Sequence, residues 1–391
     1  MKILIAGSDL NARLLAQYLK LEDNNNDIFL TDEEHSSCEF YTTVKIKEND
    51  IASITDFVKY NQIEFTIVTS PIAIINGIAD EFKKEGFPVF APYAEAARIT
   101  YFNSIAKKIM YKLKINTPKF GIFDREGLAV EYIRKVKFPV TIENDFTLPV
   151  RESYTYTTFS KAKTGIQKIF ENNNEKIVIE SHIEEQPVYI YFITDGYNAL
   201  PLVTLEKTAD DNYIQINAPS QKISEEMIIN ILQKIIYPLL DDITKYSDMY
   251  VGIIGLKVKI HNNSVFVHEF YNSFQNYDFQ VFLSLLKDNL LNLLYDTVNG
   301  SLADNHNYIK TISDYSYSII LNKEYVNSAT YDNIEDDNII SSIDKENYIY
   351  TTTAPTVNKA KEKLLEYLST KTDKDIVKQL IKENFEKELK I

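Results

Sequence analysis

The run Ile193-Thr194-Asp195-Gly196-Tyr197-Asn198-Ala199-Leu200-Pro201-Leu202 joins the end of one apolar segment to the start of another. The flanking segments, Val188–Ile193 and Ala199–Val203, have the length and apolar character of buried strands. Asp-Gly between two such segments favours a tight turn, because glycine accepts the positive φ angles that hairpin turns require. The run therefore predicts an antiparallel hairpin in a buried sheet.

A second hairpin is predicted further along the chain. Gly252–Ile260 and Ser264–Phe270 read as strands on either side of the polar turn His261-Asn262-Asn263. Between the two hairpins, Ser224–Leu240 has helical spacing and begins with an imperfectly spaced capping-box pattern. A further helix, Phe279–Thr297, ends at Gly300, which is a common helix stop.

Residues 1–98 alternate between strand and helix patterns, which predicts a parallel, doubly wound sheet. The predicted elements are the strands Lys2–Ala6, Ile28–Leu30, Phe65–Val68 and Pro88–Phe90 and the helices Asn11–Leu21, Ile51–Tyr60 and Ile75–Glu85.

The centre and the end of the chain mix both element types. After a helix at Tyr101–Leu113, strands are predicted at Val140–Ile142 and Ile177–Ile179. Residues 301–391 read as a smaller appendage, with strands Tyr317–Leu321 and Tyr348–Thr352, a helix Val357–Leu368, and a last amphipathic helix. That last helix carries the apolar residues Ile376, Val377, Leu380, Ile381, Phe385 and Leu389. We expect it to dock on the body of the protein or on a partner.

Composition narrows the class of protein. A chain of 391 residues predicts two to four domains. The single cysteine, Cys38, allows no disulfide within the chain and indicates a reducing compartment. No apolar run reaches the ~18 residues of a membrane span, so we expect a soluble, cytoplasmic protein. The net charge of -14 argues against a nucleic-acid partner. The chain has 10 glycines, which is few for a protein that would cradle phosphates on backbone N–H groups.

Several segments, in order, resemble the phosphoribosylamine–glycine ligases of the ATP-grasp superfamily. The residues that carry the resemblance are Phe87–Pro92, Ala94–Ala97, Ile105–Met110, Ile193–Leu202, Ala218-Pro219, Glu225-Glu226, Ile235–Pro238, Gly252–Leu256 and His268–Phe270. The resemblance covers about residues 1–300. It implies an α/β fold with a Rossmann-like N-terminal domain at 1–98, an ATP-grasp domain at 99–300 (lobes about 115–182 and 183–300), and a small β-rich C-terminal domain with terminal helices at 301–391.

The resemblance also implies a chemistry and its ligands. Family members use ATP and Mg²⁺ to activate glycine as an acyl phosphate, which the amine of phosphoribosylamine then attacks. Carried onto this sequence, the nucleotide-binding positions include Lys107, Glu180 and Ile183, with Glu185 or Gln186 at the ribose hydroxyls. Glu269 is the implied ligand of Mg²⁺. The expected partners are a nucleotide and an unidentified protein, and the expected state is a monomer or dimer.

Other positions depart from the family pattern. The strand lysine of the ATP lobe is Glu143 here, and an earlier helix lysine is Asn103. The second metal position holds Tyr271, with Asn272 beside it. The remaining departures are the phosphate turn at Gly7-Ser8-Asp9, the loop Thr69-Ser70-Pro71, and the two tracts Asn144–Thr164 and Lys207–Asn217, which contain no glycine. We assign no catalytic residue.

These departures favour a degenerate relative in which ligase chemistry is lost and the role is binding, scaffolding or regulation. Five of them are independent losses: the phosphate turn, the strand lysine, the glycine-rich loop at Asn144–Thr164, the second metal ligand and the substrate tract at Lys207–Asn217. Each lost group supplies electrostatic stabilisation to the transition state, so together these losses do not fit a working enzyme. A second hypothesis is an active, divergent ligase that has recruited Arg151, Lys161 and Asn272 to one cleft near Glu180 and Glu269. A third is a different ATP-grasp ligase, which shares the same defects.

Overall fold

The computed structural model describes residues 1–34, 37–148, 152–171, 176–209, 213–275, 277–322, 339–343 and 347–371. The first part of the chain forms a five-stranded sheet in which every strand pair is parallel. Its elements are β1 (Lys2–Ala6), α1 (Leu10–Glu22), β2 (Asp27–Thr31), β3 (Thr42–Val44), α2 (Ile51–Asn61), β4 (Phe65–Val68), α3 (Pro71–Ile75), α4 (Ile78–Glu85), β5 (Val89–Phe90) and α5 (Ala94–Tyr101). The strand order is β3-β2-β1-β4-β5.

The parallel sheet follows the prediction in most of its elements. The predicted helix Ile75–Glu85 is confirmed over Ile78–Glu85, but its predicted start is wrong, because Gly77, with φ +83°, separates α3 from α4. Glycine adopts this left-handed conformation without steric penalty, so the chain turns there. The sequence analysis also did not predict β3, a short strand with no buried residue.

The middle of the chain forms a smaller antiparallel sheet with two helices on one face. Its elements are α6 (Asn103–Lys112), β6 (Phe120–Phe123), α7 (Glu126–Ile133), β7 (Val140–Asn144), β8 (Ser153–Tyr156), α8 (Phe159–Glu171) and β9 (Ile177–Ser181). The strand order is β6-β9-β7-β8, and α7 and α8 share an apolar core with it. The predicted start of the helix at Tyr101 was wrong, because Tyr101 ends α5, Phe102 is extended, and α6 begins at Asn103.

The remainder forms an antiparallel sheet of eight strands and its helices. These elements are β10 (Val188–Thr194), β11 (Ala199–Ala209), β12 (Tyr213–Ala218), α9 (Glu225–Ile231), a π-helical turn (Leu232–Ile236), α10 (Tyr237–Ile243), β13 (Gly252–His261), β14 (Ser264–Tyr271), α11 (Asp278–Leu285), α12 (Leu290–Val298), α13 (Leu302–Asn305), β15 (Tyr315–Asn322), β16 (Ile339–Ile343), β17 (Asn347–Ala354) and α14 (Val357–Lys371). The strand order is β14-β13-β10-β11-β12-β15-β17-β16.

Both predicted hairpins are confirmed, as β10–β11 and β13–β14. The predicted helix Phe279–Thr297 is two helices, because Leu286 leaves α11 in an extended conformation and Asn289 caps α12. β15 pairs with β12, so the predicted C-terminal strands extend the large sheet. The domain boundaries stay predictions. The predicted last helix, at 376–389, lies outside the described residues.

The parts pack together through shared apolar cores. One core joins the first sheet and α1 to the large sheet through α11 and α12, with Ile5, Tyr191 and Phe282 among its members. A second lies on the opposite face of the large sheet, beneath α6, α9 and α10. The mixed α/β class with a parallel N-terminal sheet and a β-rich C-terminal region is thus confirmed. None of the helices in the described part of the chain has the length and apolar character that a membrane crossing requires.

Candidate functional site

A cleft of about 580 Å³ lies where the three sheets approach one another. The first sheet contributes Asp9 and Thr69, β8 contributes Ser153, and the large sheet contributes Lys257 and Glu269. Of the residues at which the resemblance implies a ligand, Glu269 lines this cleft. The implied nucleotide-binding positions Lys107, Glu180, Ile183 and Glu185 are not among its lining residues. Its chemistry follows from the side chains that line it.

Lys257 and Glu269 form an ion pair in this cleft. They are cross-strand partners on β13 and β14, with Lys257 Nζ at 2.8 Å from Glu269 Oε1. The other carboxylate oxygen, Oε2, accepts a hydrogen bond of 2.5 Å from the Tyr271 hydroxyl. Burial lowers the pKa of Lys257, but the charges of Glu269, Tyr189 and Glu143 more than offset this, and its pKa lies above its usual value. Lys257 is therefore a fixed cation in the cleft.

The donors around Glu269 do not fit a magnesium ion. Mg²⁺ prefers an octahedral set of oxygen ligands that are free to coordinate it. Both Glu269 oxygens have protein partners, and the buried Asn272 side chain donates to the Tyr101 hydroxyl. Among the residues that the structure describes, no three His, Cys, Asp or Glu side chains converge as a metal site would require.

Asn103 and Glu143 occupy the two positions at which the resemblance implies lysines, and they contact each other. Asn103 Nδ2 donates to Glu143 Oε2 over 3.2 Å and to the Asn144 carbonyl over 2.8 Å. Ser153, on the neighbouring strand β8, donates to Glu143 Oε1 over 2.9 Å. Both Asn103 and Glu143 are buried. Glu143 is therefore held in place by two donors, at the position where the resemblance implies a lysine that binds phosphates.

Lys107 and Glu180, both predicted nucleotide ligands, form a buried ion pair. The Lys107 ammonium contacts Glu180 and also donates to Thr117 Oγ1 at 2.8 Å and to the His268 carbonyl at 3.0 Å. Lys107 thus combines one ion pair with two hydrogen bonds. Burial raises the pKa of Glu180, but Lys107 and His268 lower it more, so it lies below the usual value. The pair links α6 to β9 and β14.

Ile183 and Glu185 lie on the loop after β9 and are held by residues of β13. The Ile183 carbonyl accepts a hydrogen bond from Lys259, and Glu185 pairs with His261. The hydrogen bond from His261 lowers the pKa of Glu185. The structure thus brings Lys107 and Glu180 into direct contact, while Ile183, Glu185 and Glu269 each have a separate partner on β13.

The phosphate turn of the first sheet holds a carboxylate of the chain itself. The hydroxyls of Ser8 and Ser70 donate to Glu48 Oε1 and Oε2, each over 2.5 Å. These serines follow β1 and β4, the two strand ends where the resemblance implies sugar-phosphate loops. Glu48 lines an acidic cleft of about 670 Å³ together with Asp9 and Asp32. Sequence reasoning missed Glu48, because the segment between β3 and α2 carries no motif.

Asp9 lies between the two clefts and caps α1 by accepting from the Ala12 N–H over 2.8 Å. Its side chain reaches solvent, yet the walls of the clefts surround it. This desolvation, together with the charge of Glu48, raises the pKa of Asp9 to about 6. The positive charge of Arg13 lowers the pKa of Asp9 but does not cancel this rise, and the Arg13 guanidinium donates to the Ser8 carbonyl over 2.9 Å.

The replacement ligands of the second hypothesis are not gathered around the cleft. Lys161 is exposed on α8 and is not among the residues that line the cleft. Asn272 does line it, but its amide is directed to Tyr101. Arg151 lies outside the described residues. The sequence tract Lys207–Asn217 contributes to the hairpin of β11 and β12.

The class of protein follows from the match of residues 103–278 to the ATP-grasp (A) domain of phosphoribosylglycinamide synthetase. This chain is an ATP-grasp protein. Residues 1–100 match the N domain of the same enzyme. The chain belongs to the phosphoribosylglycinamide synthetase family, which confirms the resemblance found in the sequence.

Individual relatives agree with this assignment. The phosphoribosylamine–glycine ligase of Caldanaerobacter subterraneus is 25% identical over 318 residues, which cover 78% of this chain and 76% of that protein. The ligase of Clostridium acetobutylicum is 23% identical over 323 residues, with the same coverage. Among solved structures, the Thermotoga maritima phosphoribosylamine–glycine ligase has a TM-score of 0.74 at 14% identity, covering 95% of this chain and 98% of that one. The Campylobacter jejuni biotin carboxylase has a TM-score of 0.73 at 13% identity, covering 95% and 91%.

Proposed function

We propose that this chain is a phosphoribosylamine–glycine ligase-like protein of the purine biosynthesis family that has lost ligase chemistry and now binds, scaffolds or regulates. The observation that carries the proposal is the Asn103–Glu143 contact, which replaces two implied lysines by an amide and a buried carboxylate. A carboxylate beside a triphosphate is repelled most strongly in a partly dry site, where the effective dielectric constant is low.

Three further observations support the loss. Glu269 is paired with Lys257 and Tyr271, so the implied metal ligand is already engaged. Glu48 accepts hydrogen bonds from Ser8 in the phosphate turn and from Ser70 in the loop after β4. Preorganised positive charge at the transferring phosphate is commonly the main source of rate enhancement in such catalysis, and here the matching positions carry negative or neutral groups. The chain keeps the family fold, while the residues at the implied ligand positions have partners within the chain. A fold whose implied ligand residues are already engaged internally suits a protein that binds another macromolecule.

The test is a ligase assay with glycine, phosphoribosylamine, ATP and Mg²⁺, following ADP release. The Caldanaerobacter ligase serves as the positive control. We expect no ADP formation that depends on both substrates. A substrate-dependent rate that Glu269→Gln abolishes would overturn the proposal, whereas a rate that persists in Glu269→Gln marks a contaminating enzyme.

The alternative is an active, divergent phosphoribosylamine–glycine ligase or a related ATP-grasp carboxylate–amine ligase. The observation that favours it is Lys257, which brings one fixed cation into the cleft. On this alternative Lys257 would contact a phosphate, so Lys257→Met would abolish any measured rate. The same assay therefore separates the two functions.

A further inference from the structure

The environment of Lys257 is built around a single positive charge. Its ammonium lies 2.8 Å from Glu269, the implied metal ligand, and its side chain is 26% exposed against 4% for Glu269. Lys257 is therefore placed where a cation that serves Glu269 would sit, and it comes from the chain itself.

The neighbouring side chains fix this arrangement. Tyr271 donates to the second Glu269 oxygen and stacks against Tyr189, with ring centroids 6.4 Å apart and an interplanar angle of 23°. Tyr189 in turn lies under the ammonium of Lys207, 4.2 Å from its ring centroid. Lys207 is anchored by an ion pair of 2.6 Å with the buried Asp278. This row of contacts, from Glu269 through two tyrosine rings and Lys207 to Asp278, holds the Glu269 carboxylate beside Lys257.

We propose that the ammonium of Lys257 replaces the divalent cation at Glu269, so that this cleft operates without a metal ion. An ammonium supplies one charge and three hydrogen-bond donors, whereas Mg²⁺ supplies two charges and open coordination positions for phosphate oxygens. A ligand in this cleft is then recognised by hydrogen bonds and one charge, not by metal bridging. The inference concerns the same cleft as the proposed function but does not require that catalysis be lost.

The experiment is a Mn²⁺ titration followed by electron paramagnetic resonance and by calorimetry. The variants are Glu269→Gln, Lys257→Met, which keeps an unbranched apolar stem without the charge, and Lys257→Met with Glu269→Gln. Lys259→Met is the matched control, because Lys259 lies two residues along β13 and donates to the Ile183 carbonyl instead. Circular dichroism checks that each variant folds.

We expect no sub-millimolar Mn²⁺ site in the wild-type protein or in Lys259→Met. In Lys257→Met, Mn²⁺ should bind about tenfold or more tightly than in the wild type, because removal of the ammonium leaves the Glu269 charge available to a cation, and ligand charge sets cation affinity. The double variant should lose this gain. A sub-millimolar site in the wild type that Glu269→Gln removes would overturn the inference, and this comparison needs no Lys257 variant to fold. A folded Lys257→Met protein without the gain would overturn it as well.

These outcomes are separate from those of the ligase assay. A Mn²⁺ site at Glu269 without a ligase rate contradicts this inference and leaves the proposed function intact. A ligase rate that survives in EDTA contradicts the proposed function and supports this inference.

Discussion

The Asn103 amide donates to the Glu143 carboxylate over 3.2 Å, and this contact joins the first turn of α6 to β7. Ser153 supplies a second donor to the same carboxylate from β8. The contact therefore has a structural role in the small sheet, in addition to placing no positive charge at the two positions where the resemblance implies lysines. A buried carboxylate depends on such donors, since an unsatisfied one is costly.

Replacing Asn103 by alanine should destabilise the protein. The substitution removes one donor from buried Glu143 and one from the Asn144 carbonyl, and we expect a loss of about 1–3 kcal/mol in the free energy of unfolding. Urea denaturation measures this loss. The control is Asn25→Ala, where an exposed amide donates to exposed Asp23 and the expected change is below about 0.5 kcal/mol. Equal losses in the two variants would show that the buried contact contributes no more to the free energy of unfolding than the exposed one.

Removing one member of the Lys107–Glu180 pair should be more damaging than removing both. Lys107→Met leaves a buried carboxylate without its cation, and the expected loss is about 3–5 kcal/mol. Lys107→Met combined with Glu180→Gln should recover much of that loss, because no uncompensated charge remains. Chemical denaturation of both variants at neutral pH measures the difference, and a double variant no more stable than the single one would contradict the prediction.

The same pair predicts acid sensitivity. The folded-state pKa of Glu180 lies below its ordinary value of 4.5, so the folded state binds this proton less readily than the unfolded state. The stability that the ionised pair contributes is present above the unfolded pKa and is lost as pH falls through the folded pKa. Denaturation curves at acidic pH should fall less steeply for the double variant than for the wild type. Parallel curves would exclude this contribution.

The protonation of Asp9 predicts a pH dependence of stability with the opposite sign. Its pKa is raised from 3.8 to about 6 in the folded state, so the folded protein holds this proton more tightly, and its contribution to stability falls as pH rises from about 4 to about 6. Asp9→Asn keeps an α1 cap and removes the charge. At neutral pH the variant should be more stable than the wild type by less than about 1 kcal/mol, since solvent screens the exposed side chain. The difference should vanish near pH 4, and a constant difference across this range would contradict the assignment.

The hydrogen bonds of Ser8 and Ser70 predict that this part of the chain does not bind a sugar phosphate. Ser8 and Ser70 both donate to Glu48, so a sugar phosphate would have to displace a carboxylate held by two hydrogen bonds. We expect millimolar ribose 5-phosphate to leave the melting temperature of this chain unchanged. The Caldanaerobacter ligase, measured in parallel, provides the comparison. A concentration-dependent rise in the melting temperature of this chain would show that the turn still binds phosphate.

Much of the fold could be predicted from the sequence, because hydrophobic period and turn chemistry are local. Both hairpins and the parallel first sheet follow from such patterns. The amphipathic helix α8 was not predicted, although its buried residues have helical spacing, because the strand-like residues of β8 run almost directly into its first turn. The helix boundaries depend on single residues, such as Phe102, whose extended backbone forms a bridge with Phe146, a residue distant in sequence.

The Lys257–Glu269 pair could not be predicted by counting along the hairpin. The turn pairs His261 with Ser264, and unbroken pairing from there would put Lys257 opposite His268. A β-bulge between Lys257 and Val258 shifts the register by one residue and brings Glu269 opposite Lys257 instead. A one-residue shift moves a side chain to the other face of a sheet. Contacts between distant segments, such as Glu48 with Ser70, leave no local signal at all.

Thermal unfolding with and without ATP and Mg²⁺ tests the central claim most directly. A ligand at 100 times its Kd stabilises the native state by about 2.7 kcal/mol, which is readily visible as a rise in the melting temperature. With both implied lysines replaced and Glu269 paired to Lys257, we predict no Mg²⁺-dependent shift at millimolar ATP. A clear shift that requires both ATP and Mg²⁺ and disappears in Glu269→Gln would contradict the account and restore an ATP-dependent ligase.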